Sequence, residues 1–221
     1  MQLPIDSFQA CLAFGPVAVY LLAVGLVNFR RRPTVVSGAL DVALLGLAIV
    51  GLIMIGPMEI FFPESAALYF LGPLVWLPLL ALYGLGVALV LLSLRPRLVV
   101  YNVSMDALRR TLADVVGDLD PEARWAGDSL FLPRLGVQLH MDAFGLMRNV
   151  SLVANGSRQS PLGWLKLHRA LAKAIRGSRT SRNVRGLVFA LAGFVLIGLL
   201  ICAVAQDPAA TVQAMHEMFR V

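Results

Sequence analysis

The chain has 221 residues, 58 % of them apolar and only 14 % charged, with a mean hydropathy of +0.78. Those values exclude an ordinary soluble domain, which carries about 25 % charged residues, and an intrinsically disordered chain. The net charge of +6 suits a membrane protein that keeps its bases on one side of the bilayer.

In chain order, residues 1–9 hold no Lys or Arg, so the basic n-region of a cleavable signal is missing. Four apolar stretches follow, at about 10–29, 35–57, 66–94 and 186–205. Each can cross a hydrocarbon core of about 30 Å, which takes about 20 helical residues. The second is expected to stop at Gly56-Pro57, with Phe61 and Phe62 in the following loop near the interface. The third holds Pro73 and Pro78, which remove backbone donors and predict a kink or a late helix start.

Between the third and fourth stretches lies a polar insert. Leu98–Val103 is a β-branched run and reads as a strand. Ser104 stands where an N-cap would open a helix, and Met105, Leu108, Leu112, Val115 and Leu119 recur at helical spacing. Residues 124–132 read as one strand, Gly136–Asp142 as a second with clean alternation, and Leu146–Ala154 as a third. Leu162–Arg176 reads as the closing helix. The order β-α-β-β-β-α predicts an antiparallel sheet with helices on one face.

The fold class is therefore an α-helical integral membrane protein with four transmembrane helices, three and then one. An α+β domain is inserted between the third and fourth. The expected boundaries are 1–97, 98–182 and 183–221. Orientation follows from the bases. Residues 95–185 carry fifteen bases and seven acids, and Arg30, Arg31 and Arg32 follow the first span. The opposite side carries Asp6, Glu59, Glu64, Asp207 and Glu217 against Arg220. Positive loops stay inside, so the insert is expected in the cytoplasm of a cell with this protein in its inner membrane, and both termini outside.

Candidate sites are few. Asp41 is an acid about six residues into the second span, and such residues are functional hypotheses by default. A depth of about 9 Å also lets it reach the interface, or pair with Arg30, Arg31 or Arg32 or with a base on the insert. Lys166, Arg169, Lys173 and Arg176 form one stripe on the last insert helix, with Trp164, Leu167, His168, Leu171 and Ile175 on another face. Such a stripe suits anionic lipid heads or a protein partner, whereas nucleic acid lacks any aromatic–basic interleaving here. Asp114, Asp118, Asp120 and Glu122 cluster at one helix end but match no cation loop. His140, His168 and His216 have no ligand partner at helical spacing, and Cys11 and Cys202 form no C-x-x-C pair. The sequons at Asn102, Asn149 and Asn155 fall on the expected cytoplasmic side, where they carry no glycan. Gly84 with Ala88, and Ala39 with Ala43, are small-xxx-small pairs that predict contact between the second and third spans.

No catalytic constellation, metal site or cofactor motif is readable, so no enzyme activity is expected. The sequence points to a scaffold, assembly or regulatory protein whose tethered domain binds a protein partner or the inner leaflet. The alternative is a transporter or channel component using Asp41 and the proline-kinked third span. At the C-terminus, Asp207-Pro208 reads as a cap and first helical residue, followed by an apolar stripe of Val212, Met215 and Phe219.

Overall fold

The computed structural model describes residues 6–61, 76–144, 148–157, 159–178, 180 and 183–219. Among these, seven helices and six strands combine long apolar helices with an antiparallel α+β domain. The helices are α1 (Ser7–Phe29), α2 (Gly38–Phe61), α3 (Trp76–Ser93), α4 (Met105–Leu119), α5 (Pro161–Ile175), α6 (Val184–Gln206) and α7 (Pro208–Phe219). The strands are β1 (Thr34–Ser37), β2 (Arg97–Tyr101), β3 (Arg124–Ala126), β4 (Ser129–Leu132), β5 (Val137–Phe144) and β6 (Asn149–Ala154). Two compact units result: residues 1–23, 43–92 and 189–221 form one, and residues 24–42 with 93–188 form the other.

The helix α1, the segment Gly38–Gly56 and α6, most of whose residues belong to the first unit, are each apolar and long enough to cross a membrane. They mark the chain as a membrane protein. The third expected span is an apolar helix over Trp76–Ser93, and residues 66–75 of it, with Pro73, lie outside the described residues. Pro78 falls in the first turn of that helix as described, where a missing donor costs little. The expected stop at Gly56-Pro57 is not there. Helix α2 continues to Phe61, with the Ile53 carbonyl losing its i+4 donor at Pro57.

Small residues let these helices approach. A Cβ at Gly193 of α6 would stand 2.8 Å from the Ala18 carbonyl of α1, and Ala13, Ala18 and Ala190 are all buried. Ser7 Oγ also donates to the Ala203 carbonyl at 3.3 Å. The expected pair in the third span does not mediate its contact with the second: Gly84 meets nothing within 4 Å, and Ala88 is exposed. The contact is made one helical face away. Tyr83 donates to the Gly46 carbonyl at 2.5 Å, and Val87 lies 3.3 Å from where a Gly46 Cβ would be.

The second unit holds a six-stranded antiparallel sheet in the order β1-β2-β6-β5-β4-β3. Side chains alternate along each strand. Leu98, Val100, Val137, Leu139, Val150 and Leu152 point to one face. There they pack against Leu108, Leu112 and Val116 of α4 and Trp164, Leu167 and Leu171 of α5. This is the expected one-faced arrangement, with two differences in strand count.

First, residues 124–132 form a hairpin of two strands, β3 and β4. Gly127 at φ +61° opens a two-residue turn that joins Ala126 to its partner Ser129. Second, Thr34–Ser37, read as the start of a span, is strand β1. It pairs Val35 with Val100 and Val36 with Val99. Without it β2 would be a bare edge.

Candidate functional site

The β1 strand relocates Asp41. Because Thr34–Ser37 is sheet, α2 begins at Gly38, and Asp41 stands in its first turn. The Leu40 amide donates to Ser37 Oγ at 3.3 Å, an N-cap that fixes where the helix starts. A carboxylate in that turn is favoured by the positive end of the helix dipole.

Two residues of β2 meet this carboxylate. Arg97 Nη2 lies 3.7 Å from Asp41 Oδ2, and Tyr101 Oη donates to Asp41 Oδ1. Both partners sit on the face of β2 opposite to Leu98 and Val100, so they stand on the sheet face that α4 and α5 leave open. All three are half-buried. A Cβ at Gly38 would collide with the Arg97 stem, so glycine there lets the guanidinium pass. Of the pairings weighed from sequence, the structure brings Asp41 to a base of the insert rather than to Arg30, Arg31 or Arg32.

The polar clamp beside this site went unread in the sequence. Asn102 directly follows β2, in the left-handed region at φ 57°, and is fully buried. Its backbone N–H donates to Asn149 Oδ1 at 3.2 Å, and its Nδ2 donates to the Arg30 carbonyl. The Thr180 amide donates to the Arg31 carbonyl at 2.9 Å. A buried asparagine after a β-branched run was visible only as a sequon; its burial removes it as a glycan acceptor.

The basic stripe is exposed. Lys166, Arg169, Lys173 and Arg176 all face outward from α5, while Trp164, Leu167, Leu171 and Ile175 are buried. The helix is opened by Ser160, whose Oγ accepts from the Gly163 amide at 3.1 Å, with Pro161 at the first position. Two leucines join the outward face, Leu162 at 70 % exposure and Leu165 at 42 %. Among the described residues no ion pair engages the stripe.

The acidic cluster at the end of α4 comes apart. Asp120 is fully buried, its carboxylate accepting the Glu122, Arg134 and Leu135 amides at 3.1, 2.8 and 3.4 Å. Glu122 pairs with Arg134 at 2.8 Å, which raises the Arg134 pKa, while Asp114 and Asp118 are exposed. These are bonds that close a turn. Ser104 sits at the start of α4 without the side-chain cap expected of it. No grouping of His, Cys, Asp and Glu that would hold a metal occurs among the described residues. His140 Nδ1 lies 3.1 Å from Ser129 Oγ across the β4–β5 pair.

No protein-family model, curated protein or solved structure matches the chain.

Proposed function

We propose that this is a four-span membrane-anchored scaffold, of the assembly or regulatory kind, whose cytoplasmic α+β domain binds an acidic protein surface through α5. In this reading residues 66–94 supply the third span, both termini lie outside, and the membrane is the inner membrane of the cell. The observation that carries it is the outward face of α5, where Leu162 and Leu165 continue into Lys166, Arg169, Lys173 and Arg176. Exposed leucines beside a run of bases suit a partner that offers apolar contact and carboxylates together.

A protein suits this face better than lipid does. The sheet lies between α5 and the carboxylate of Asp41, since α5 packs on the Leu98/Val100 face and Asp41 meets the Arg97/Tyr101 face. The basic stripe therefore points away from the first turn of α2. The transporter alternative draws little from this geometry, because Asp41 is held by Arg97 and Tyr101 as an anchor would be.

Photo-crosslinking in cells tests the reading. A crosslinking residue at Arg169 should give an adduct with a protein of acidic surface, and Lys166→Glu with Lys173→Glu should abolish it. A crosslinker at Asp142, on the opposite sheet face, should give none. Lipid adducts only at Arg169, or equal protein adducts from both positions, would refute the proposal.

A further inference from the structure

We infer that Arg30, Arg31 and Arg32 form a preorganised site for the phosphate of an anionic phospholipid. This lies outside the α5 surface and does not depend on it.

The side chains of all three arginines are exposed, yet their backbone is held. The Arg30 amide still bonds the Leu26 carbonyl at 3.1 Å, closing α1. The Arg30 carbonyl is taken by the buried Asn102 amide group, and the Arg31 carbonyl by the Thr180 N–H. Pro33 is buried and has its φ fixed by its ring. Thr34 then enters β1 opposite Tyr101. The carbonyls of Arg30 and Arg31 are thus held inward, while the side chains of Arg30, Arg31 and Arg32 are exposed. A free polybasic tail would have to order these residues on binding, whereas here the order is already present.

The chemistry selects phosphate. A guanidinium is a planar fork that matches two phosphate oxygens, and three consecutive exposed residues carry one here. These bases directly follow the 23-residue apolar helix α1, the height at which lipid phosphates lie. No carboxylate pairs with them among the described residues, and the nearest acid in sequence, Asp41, is engaged by Arg97 and Tyr101. A Cβ at Gly186 of α6 would lie 2.9 Å from Asn28 and Phe29, so the start of α6, with exposed Arg185, packs against the same end of α1. Bases at a helix C-terminus also complement its dipole. That accounts for their charge but not for two carbonyls pinned by a buried asparagine and a loop amide.

The test is native mass spectrometry of the full chain in detergent, titrated with phosphatidylglycerol, phosphatidylcholine and inorganic phosphate. Wild type should retain phosphatidylglycerol in preference to phosphatidylcholine, and inorganic phosphate should not displace it. The triple change Arg30→Lys, Arg31→Lys, Arg32→Lys keeps charge and orientation but loses the fork, and should weaken retention about fivefold. Asn102→Gly keeps the left-handed backbone and removes the pin, and should weaken it similarly. Where Asn102→Gly lowers the melting temperature, the triple lysine variant decides alone. Changing Lys166, Arg169 and Lys173 to Gln should leave retention unchanged. Equal retention of the two lipids by wild type, displacement by inorganic phosphate, or loss only in the α5 variant would overturn the inference.

Discussion

The space that a Cβ of Gly51 would occupy is filled by the main-chain carbonyl oxygen of Leu12. That carbonyl is the one Pro16 leaves without its helical donor, since proline has no N–H to offer four residues on. The proline in α1 and the glycine in α2 therefore belong to one contact. An apolar helix tolerates proline where a neighbour can approach the freed carbonyl. Gly51 is buried, and its lack of a side chain allows that approach, with Cα–H available as a weak donor.

Gly51→Val should force α1 and α2 apart. Overpacking of this kind costs about 1–3 kcal/mol. Thermal unfolding in mild detergent should show a clearly lowered midpoint, whereas Gly84→Val, at an open position, should change it little. Equal effects of the two would show that the contact does not govern packing.

The Asp41–Arg97–Tyr101 cluster gives a graded prediction. Asp41→Ala removes the carboxylate that a half-buried guanidinium and phenol share, a loss of about 1–3 kcal/mol. Asp41→Asn keeps an oxygen for Tyr101 and loses only the charge, so it should cost less. A double-mutant cycle of Asp41→Asn with Arg97→Gln should return a coupling of about 1 kcal/mol or below, as expected for a partly exposed pair. Strict additivity would mean that the ion pair contributes nothing. A severe growth or transport defect in Asp41→Asn at normal protein level would instead revive the transporter alternative.

Strand β1 changes what the domain is. Residues 98–182 alone would lack it and would present β2 as an open edge carrying Leu98, Val99 and Val100. Expressed alone, that segment should show mixed helix–strand circular dichroism but associate at high concentration. A fusion that supplies residues 33–38 through a flexible linker should be monomeric and melt higher. Identical behaviour of the two proteins would show that β1 is dispensable. In either background Leu112→Asp should abolish cooperative melting, because it sets a charge at a fully buried position in the core.

The pattern of what was legible follows from the range of the forces involved. Apolar length announced the membrane helices, and alternation announced β5, where Val137, Leu139 and Met141 are buried and His140 and Asp142 exposed. Asp207 was readable as a cap because capping is local; its Oδ1 accepts the Ala210 amide at 2.9 Å. β1 was missed because Thr34-Val35-Val36 abuts an apolar helix, and composition does not distinguish a short, partly buried strand from the first turn of a span. Its partner, β2, lies more than sixty residues away. Asn102 was missed for the same reason: its role depends on Arg30 and Asn149, neither adjacent in sequence. Gly84 and Ala88 misled because small residues permit close packing without choosing which helix face is used.

Orientation is the remaining prediction, and it rests on charge. Fifteen bases against seven acids between 95 and 185, with Arg30–Arg32 beside them, oppose an acidic set at the other helix ends. Cytoplasmic retention of basic loops then sets Ser129 inside and Ala210 outside. The two native thiols must first be removed, since Cys202 is exposed and Cys11 partly so. In the resulting background, a membrane-impermeant maleimide added to intact cells should label Ala210→Cys and spare Ser129→Cys. Permeabilisation should then make Ser129→Cys reactive, because Ser129 Oγ lies at the exposed pair with His140 and is not shielded by the core. Labelling of Ser129→Cys in intact cells would invert the topology. The α5 surface would then face outward, and a cytoplasmic partner for it would be ruled out.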